Sequence, residues 1–215
     1  IPNSVITRAR EILADLENGT AAPVVVCKEA DEQISMLDLR SQQVCDALAA
    51  ITVGLELDIH PTKIRQSLAQ FRNMEGRQEI FEVNGITVIK DCYNAGPESM
   101  VAALNVLGRK PGRRIAVLGD MLELGDCAPA EHYKIGRIAA EKADILLTFG
   151  EDSVRMLNGA LTGGMSQNDA RSFTDRRRLV DVLKQRAKPG DVILFKGSRG
   201  MRMELILEQF LSEET

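Results

Sequence analysis

Aromatic side chains are scarce in this sequence. Only 4% of its 215 residues are aromatic, none is tryptophan, and the formal net charge is −4. Single-stranded nucleic acid is usually held by stacking its bases on aromatic rings, and nucleic acid in general is held by a basic surface. The composition therefore argues against a nucleic-acid-binding protein.

Closely spaced metal-binding side chains are also missing. The four cysteines form no CxxC pair, and only two histidines accompany them: Cys27, Cys45, Cys92, Cys127, His60 and His132. We expect no zinc site from this spacing, and free thiols without a disulfide framework are typical of a reducing compartment. The sequence has no apolar run of about 18 residues and no signal-peptide pattern. We therefore expect a soluble cytoplasmic protein without a membrane partner.

Motifs of self-contained catalysis are absent as well. The glycine-rich runs GRKPGRR and KGSRG lack the GxxxxGK[ST] spacing that cradles the phosphates of ATP, and no HExxH or Ser-His-Asp pattern occurs. We therefore predict no catalytic residue and no metal ligand in this chain. It begins with Ile1 rather than methionine, and we expect a fragment.

What is present is a regular alternation of short apolar runs and amphipathic helices. Hydrophobic residues make up 44% of the chain and charged residues 27%, which is enough apolar surface for a core. A hairpin is predicted at Asn84-Gly85, and a closing helix at Met201–Leu211. Periodicity predicts strands at Gln78–Val83, Thr87–Lys90, Arg114–Leu118, Ile145–Phe149, Ala170–Phe173 and Val192–Phe195. Strands that alternate with helices predict an α/β fold with a doubly wound, mostly parallel sheet.

The amino-terminal third has a different pattern. Apolar residues at helical spacing predict a helix over Pro2–Glu17, and a linker-like stretch follows it to residue 41. Two further helices are predicted at Gln43–Leu57 and Thr62–Phe71, and a boundary near Gly76. The predicted organisation is a helix plus linker, a helical remnant and an α/β domain, at 1–41, 42–76 and 77–215.

Polar residues follow the predicted strand ends, where ligands bind in open α/β sheets. Asp91 fits a helix cap as well as a carboxylate that accepts hydrogen bonds from a ribose. Gly119 and Gly150 are more often structural at such turns. The run Lys196–Arg199 is the stronger signal, because lysine and arginine suit phosphate or carboxylate.

From about Thr52 to Leu211 the sequence resembles the Mur ligase family. The matching pieces, in order, are VGLELDI, IRQSLAQF, Gly76-Arg77, DCYNAGPESM, VLGDMLELG, His132 with Gly136, and KGSR. DxYNAxP together with GDMLELG resembles the branch that adds D-alanyl-D-alanine to UDP-N-acetylmuramoyl-tripeptide in peptidoglycan synthesis. The resemblance implies a Rossmann-like carboxyl-terminal domain.

Such ligases use ATP and Mg²⁺ to phosphorylate the tripeptide carboxylate, and the dipeptide amine attacks the acyl phosphate. By resemblance, the ATP-binding residues are Arg77, Asp91, Tyr93 and Asn94. The residues near the acceptor dipeptide are Lys196, Ser198 and Arg199. The phosphate loop, magnesium ligands and UDP-binding domain of the family are missing from this sequence, so the resemblance implies a fragment that is not catalytic alone. Two alternatives stay open: a non-enzymatic nucleotide- or protein-binding module, and a mismatch-repair accessory segment.

Two departures from the family accompany the resemblance. Gln43 and Asp46 stand where the family has asparagines that hold adenine, and Gly96 replaces the second asparagine of YNANP. Residues 1–51 instead resemble the tail of the DNA mismatch-repair MutS family, through IPNSVITRAREILADLE and EQISMLD. None of the mismatch-binding or ATP-hydrolysing motifs of that family falls in this segment, and the two resemblances together imply a hybrid chain.

Overall fold

A computed structural model describes residues 42–70 and 77–212 of the chain. The chain divides into two units, Ile1–Asn73 and Met74–Thr215. The predicted helix Pro2–Glu17, the linker that follows it and the boundary near Gly76 lie outside the described residues. No helix within the described ranges is both long enough and apolar enough to cross a membrane.

The first unit contains two described helices, α1 (Gln42–Glu56) and α2 (Pro61–Ala69). The start of α2 is set by His60, whose Nδ1 accepts the backbone N–H of Thr62 at 3.3 Å. Proline at the first helical position needs no N–H partner, which favours this start. His60 is therefore a helix cap.

The second unit is built on a six-stranded sheet. Its strands are β1 (Glu79–Val83), β2 (Ile86–Asp91), β3 (Arg114–Gly119), β4 (Ile145–Phe149), β5 (Ala170–Phe173) and β6 (Val192–Lys196). The order across the sheet is β1-β2-β6-β3-β4-β5. β1 pairs with β2 in antiparallel orientation, and all other neighbours are parallel. The predicted mostly parallel α/β sheet is confirmed.

Helices cover both faces of this sheet. One face carries α3 (Pro97–Gly108), α4 (Ala128–Lys142) and α5 (Ser153–Thr162), and the other carries α6 (Arg176–Arg186) and α7 (Glu204–Leu211). Successive residues of β3 alternate between the two cores, because side chains of a strand point to opposite faces. Burial on both faces explains why the central strands β3, β4 and β6 appear in the sequence as nearly continuous apolar runs.

Several predicted boundaries differ from the structure, and two of the differences bear on the site. β2 runs one residue further than predicted, to Asp91, which is in register with Lys196 of β6. The predicted closing helix Met201–Leu211 is wrong at its start. A short 3₁₀ turn at Arg199–Met201 comes first, and Arg202 then adopts a left-handed conformation with φ 51°, which interrupts the helical backbone before α7.

Candidate functional site

The predicted site lies where the chain reverses direction across the sheet. β6 lies between β2 and β3. The chain leaves β3 towards α4 on one face and leaves β6 towards α7 on the opposite face. Such a switch point opens a crevice beyond the strand ends, which is the usual ligand position in a doubly wound sheet. The motifs that follow β2, β3 and β6 therefore meet at one edge.

A buried ion pair underlies this edge. Lys196 Nζ lies 2.7 Å from Asp91 Oδ2, and the side chains are only 2% and 9% exposed. The same ammonium donates a hydrogen bond to the carbonyl oxygen of Asn94 at 3.0 Å. Lys196 therefore holds the loop that follows β2. Asp91 does not cap α3, because the N-cap residue of that helix is Gly96.

Ser198 ties the three loops together. Its hydroxyl donates to the carbonyl oxygen of Ala95 at 3.1 Å and accepts the N–H of Leu122 at 2.9 Å. Its own backbone N–H donates to the carbonyl oxygen of Asp120 at 3.1 Å. One serine thus cross-links the loops that follow β2, β3 and β6.

A pocket of about 300 Å³ adjoins these contacts. Four residues predicted from the sequence border it: Tyr93, Asn94, Ser198 and Arg199. Sequence reasoning missed the other three, Leu122, Glu123 and Gly200. The available signal for the first two was the GDMLELG motif, which directly follows β3 at the same sheet edge.

Arg77 joins the rim of this pocket through Tyr93. The guanidinium carbon of Arg77 lies 4.5 Å from the centroid of the Tyr93 ring, which is a cation–π contact. A second guanidinium, that of Arg199, is 69% exposed and makes a contact of 3.5 Å with Glu204. Guanidinium groups bind phosphate or carboxylate in bidentate geometry. The rim therefore carries two groups that are suited to an anionic ligand.

His132 supports the same edge from within the core. Its Nε2 accepts the N–H of Met121 at 3.0 Å, and its Nδ1 donates to the carbonyl oxygen of Ala128 at 2.7 Å. Because Nε2 is already an acceptor, its 3.7 Å approach to Asp120 Oδ1 is not an ion pair. His132 therefore has a structural role in the core.

Asp120 is buried and fastens the loop that follows β4. Its Oδ2 accepts the N–H of Asp152 at 3.0 Å, while its Oδ1 has no hydrogen-bond partner among the described residues. Burial raises the pKa of this carboxyl above its usual value, and the hydrogen bond from Asp152 opposes the rise. A side chain at Gly150 would overlap Asp120, and one at Gly119 would overlap Met203. The structural interpretation of both glycines is supported.

Three further expectations concern other groups of residues. Within residues 42–70 and 77–212, no three His, Cys, Asp or Glu side chains are grouped so that they could hold a metal ion. Gln43 and Asp46 lie in α1 of the first unit, and an effect of this departure on adenine contact stays a prediction. The resemblance of residues 1–51 to the MutS family also stays a prediction.

Comparison with known proteins identifies relatives of this chain. The family described as Mur ligase, glutamate ligase domain, matches residues 76–199. A UDP-N-acetylmuramoyl-tripeptide–D-alanyl-D-alanine ligase from Bacillus subtilis is 34% identical over 177 residues, which cover 80% of this chain and 38% of that protein. The enzyme of the same name from Synechocystis is 37% identical over 130 residues, which cover 60% of this chain and 28% of that protein. The chain therefore spans well under half the length of these relatives.

Solved structures agree with the sequence comparison. A crystal structure of MurF from Acinetobacter baumannii superposes with a TM-score of 0.71 at 28% identity, covering 80% of this chain and 37% of that one. The MurF ligase from Thermotoga maritima in complex with ADP gives a TM-score of 0.66 at 29% identity, covering 78% and 37%. The Rossmann-like fold implied by the resemblance is confirmed. Since the family match extends over more than half of its residues, the chain belongs to the Mur ligase family.

Proposed function

We propose that this chain is the carboxyl-terminal part of a ligase that joins D-alanyl-D-alanine to UDP-N-acetylmuramoyl-tripeptide in peptidoglycan synthesis. The observation that carries the proposal is the meeting of the DCYNA, GDMLE and KGSR loops around one pocket. The relatives from Bacillus subtilis and Synechocystis are named for this reaction. A cytoplasmic location, expected from the free thiols, belongs to the same proposal.

The exposed side chains at the rim are suited to ATP. Arg77 offers a guanidinium for phosphate charge, Tyr93 a ring face, and Asn94 an amide that both donates and accepts. The Thermotoga maritima relative was solved with ADP. Bound ATP would supply the phosphoryl group that activates the tripeptide carboxylate as an acyl phosphate. The ribose contact of Asp91 rests on resemblance alone, because its carboxylate is largely buried against Lys196.

Mg²⁺ is not matched by the described residues. No group of three acidic, histidine or cysteine side chains in 42–70 and 77–212 could hold it. In this proposal, any Mg²⁺ that the ligase requires is therefore held by other parts of the enzyme.

The acceptor side of the pocket is assigned chiefly to Arg199. Its exposed guanidinium suits the carboxylate of the dipeptide. The side chains of Lys196 and Ser198 already form hydrogen bonds with the surrounding loops, including the carbonyl oxygen of Asn94 and the N–H of Leu122. We therefore propose that these two residues position the acceptor-binding loops rather than contact the dipeptide.

The proposal is tested with the purified 215-residue chain. Calorimetric titration with ATP is expected to show millimolar binding, weakened several-fold by Arg77→Gln. Arg155→Gln, which removes an exposed arginine on α5, is the matched control and is expected to change nothing. No binding by the wild-type chain would contradict the proposal. Ligation product from this chain alone would contradict the prediction that it is not catalytic by itself.

A further inference from the structure

The loop after β3 contains a backbone outlier at the pocket. Glu123 adopts a left-handed conformation with φ 67°, although it carries a side chain. Non-glycine residues other than asparagine and aspartate rarely adopt this conformation. Such conformations cluster at ligand-binding positions, where the surrounding structure maintains them. The backbone conformation of Glu123 is therefore typical of a residue that contacts a ligand.

The backbone that leads into Glu123 is firmly held. The N–H of Met121 donates to His132 Nε2 at 3.0 Å, and the N–H of Leu122 donates to Ser198 Oγ at 2.9 Å. Both acceptors are buried side chains. Glu123 is therefore presented at the pocket by an anchored segment, which is the arrangement that binding precision requires.

The charges around the pocket are complementary to a zwitterion. Among the described residues that border it, Glu123 supplies the one carboxylate and Arg199 the one guanidinium. Arg199 has a contact with Glu204, whereas no described residue forms an ion pair or hydrogen bond with the Glu123 side chain. A carboxylate and a guanidinium that border the same pocket match a ligand with an ammonium at one end and a carboxylate at the other.

We infer that Glu123 binds the ammonium group of the incoming dipeptide and selects for a free amino terminus. Arg199 holds the opposite, carboxylate end. This inference rests on the proposed function, because it assigns the amine end of that acceptor to a named residue. It identifies Glu123 as a specificity-determining residue that the motif alone does not reveal.

The test compares two probes on the full 215-residue chain by amide NMR. D-alanyl-D-alanine carries a free ammonium, and N-acetyl-D-alanyl-D-alanine is the same dipeptide without it. The wild-type chain is expected to bind the free dipeptide about tenfold more tightly, the difference typical of a charge-assisted hydrogen bond. Glu123→Gln is expected to remove this preference. Glu141→Gln, which removes an exposed carboxylate on α4, is expected to keep it.

Each outcome decides the inference. A preference for the free amine that survives in Glu123→Gln would overturn it and leave the proposed function intact. Absence of dipeptide shifts at the pocket, in a wild-type chain that still responds to ATP, would also overturn it. Absence of shifts with both the dipeptide and ATP would overturn the inference and the proposed function together. Before titration, an amide spectrum of Glu123→Gln that matches the wild-type spectrum establishes that the variant is folded.

Discussion

Lys196 Nζ and Asp91 Oδ2 lie 2.7 Å apart although the residues are 105 positions apart in the sequence. Their strands are parallel neighbours, and the two residues are in register at the carboxyl ends. The ion pair is therefore built into the sheet at the point where the candidate site begins. Because both groups are buried, removal of either one leaves the charge of the other without a partner.

Removal of the lysine charge is expected to destabilise the fold strongly. Lys196→Met should lower the free energy of unfolding by about 3–5 kcal/mol, because Asp91 is left buried and unpaired. The double variant Asp91→Asn with Lys196→Met should recover part of this loss. Urea unfolding followed by circular dichroism measures both. Lys90→Met breaks the partly exposed pair with Glu79 and should cost no more than about 1 kcal/mol.

The crossing of α4 and α5 depends on two glycines. A Cβ atom at Gly136 would overlap the carbonyl oxygen of Met156, and one at Gly159 would overlap that of Tyr133. Alanine inside a helix normally stabilises by about 0.5–1 kcal/mol relative to glycine. Here Gly136→Ala should reverse the sign and destabilise by about 1–3 kcal/mol through overpacking.

The control for this prediction is Gly108→Ala at the end of α3. An added Cβ there would meet chiefly the flexible side chain of Lys142, at 3.0 Å. Its effect on the free energy of unfolding should stay within about 0.5 kcal/mol. A stable Gly136→Ala protein in the same urea experiment would contradict the close crossing of the two helices.

The buried carboxyl of Asp120 predicts a pH dependence of stability. Its pKa is raised in the folded chain by burial, so between the unfolded and folded pKa values the native state binds more protons than the unfolded state. The free energy of unfolding contributed by this group therefore falls as pH rises through that window. Asp120→Asn removes the group, and its stability relative to wild type should improve from about pH 3 to about pH 7.

The control for this prediction is a variant that removes an exposed carboxyl group instead of a buried one. Asp126→Asn, at an exposed position in the turn before α4, serves that purpose. Urea unfolding at several pH values should give a smaller pH-dependent difference for Asp126→Asn than for Asp120→Asn. Equal pH profiles for the two variants would contradict the prediction that burial of the Asp120 carboxyl makes stability depend on pH.

Cys92 and Cys127 should differ in reactivity. Burial chiefly, with the nearby carboxylates of Glu204 and Asp91, raises the pKa of Cys92 to about 12, whereas Cys127 is exposed. At about pH 8 the thiolate fraction of Cys92 is then on the order of 10⁻⁴. Iodoacetamide labelling read by peptide mass spectrometry should modify Cys127 in the folded chain and Cys92 only after unfolding. Rapid modification of folded Cys92 would contradict its burial.

The sequence predicts the central strands well because they are apolar runs buried on both faces, as in β3 and β6. It does not predict that Asp91 meets Lys196, because that requires knowing that β6 lies between β2 and β3. Strand order depends on how helices cover the two faces, and no local pattern encodes it. The motifs after the three strands nevertheless converge, since all parallel strands end at the same edge.

Glu123 illustrates what residue patterns leave out. Its role at the pocket depends on a left-handed backbone and on anchors supplied by Ser198 and His132, which are distant in sequence. The predicted start of α7 was wrong for a related reason. Apolar spacing continues through Met201 and Met203, but the left-handed conformation of Arg202 interrupts the helix. Backbone conformation at single residues is set by tertiary contacts, which periodicity does not report.

A residue-resolved amide NMR titration of the 215-residue chain with ATP would show whether this sheet edge binds a nucleotide. The largest shifts are expected at the exposed Arg77, Tyr93 and Asn94, with smaller changes at Asp91, Lys196 and Ser198 through the cross-linked loops. Shifts confined to the opposite end of the sheet, or no shifts at millimolar ATP, would contradict the claim that this edge is a ligase nucleotide cleft.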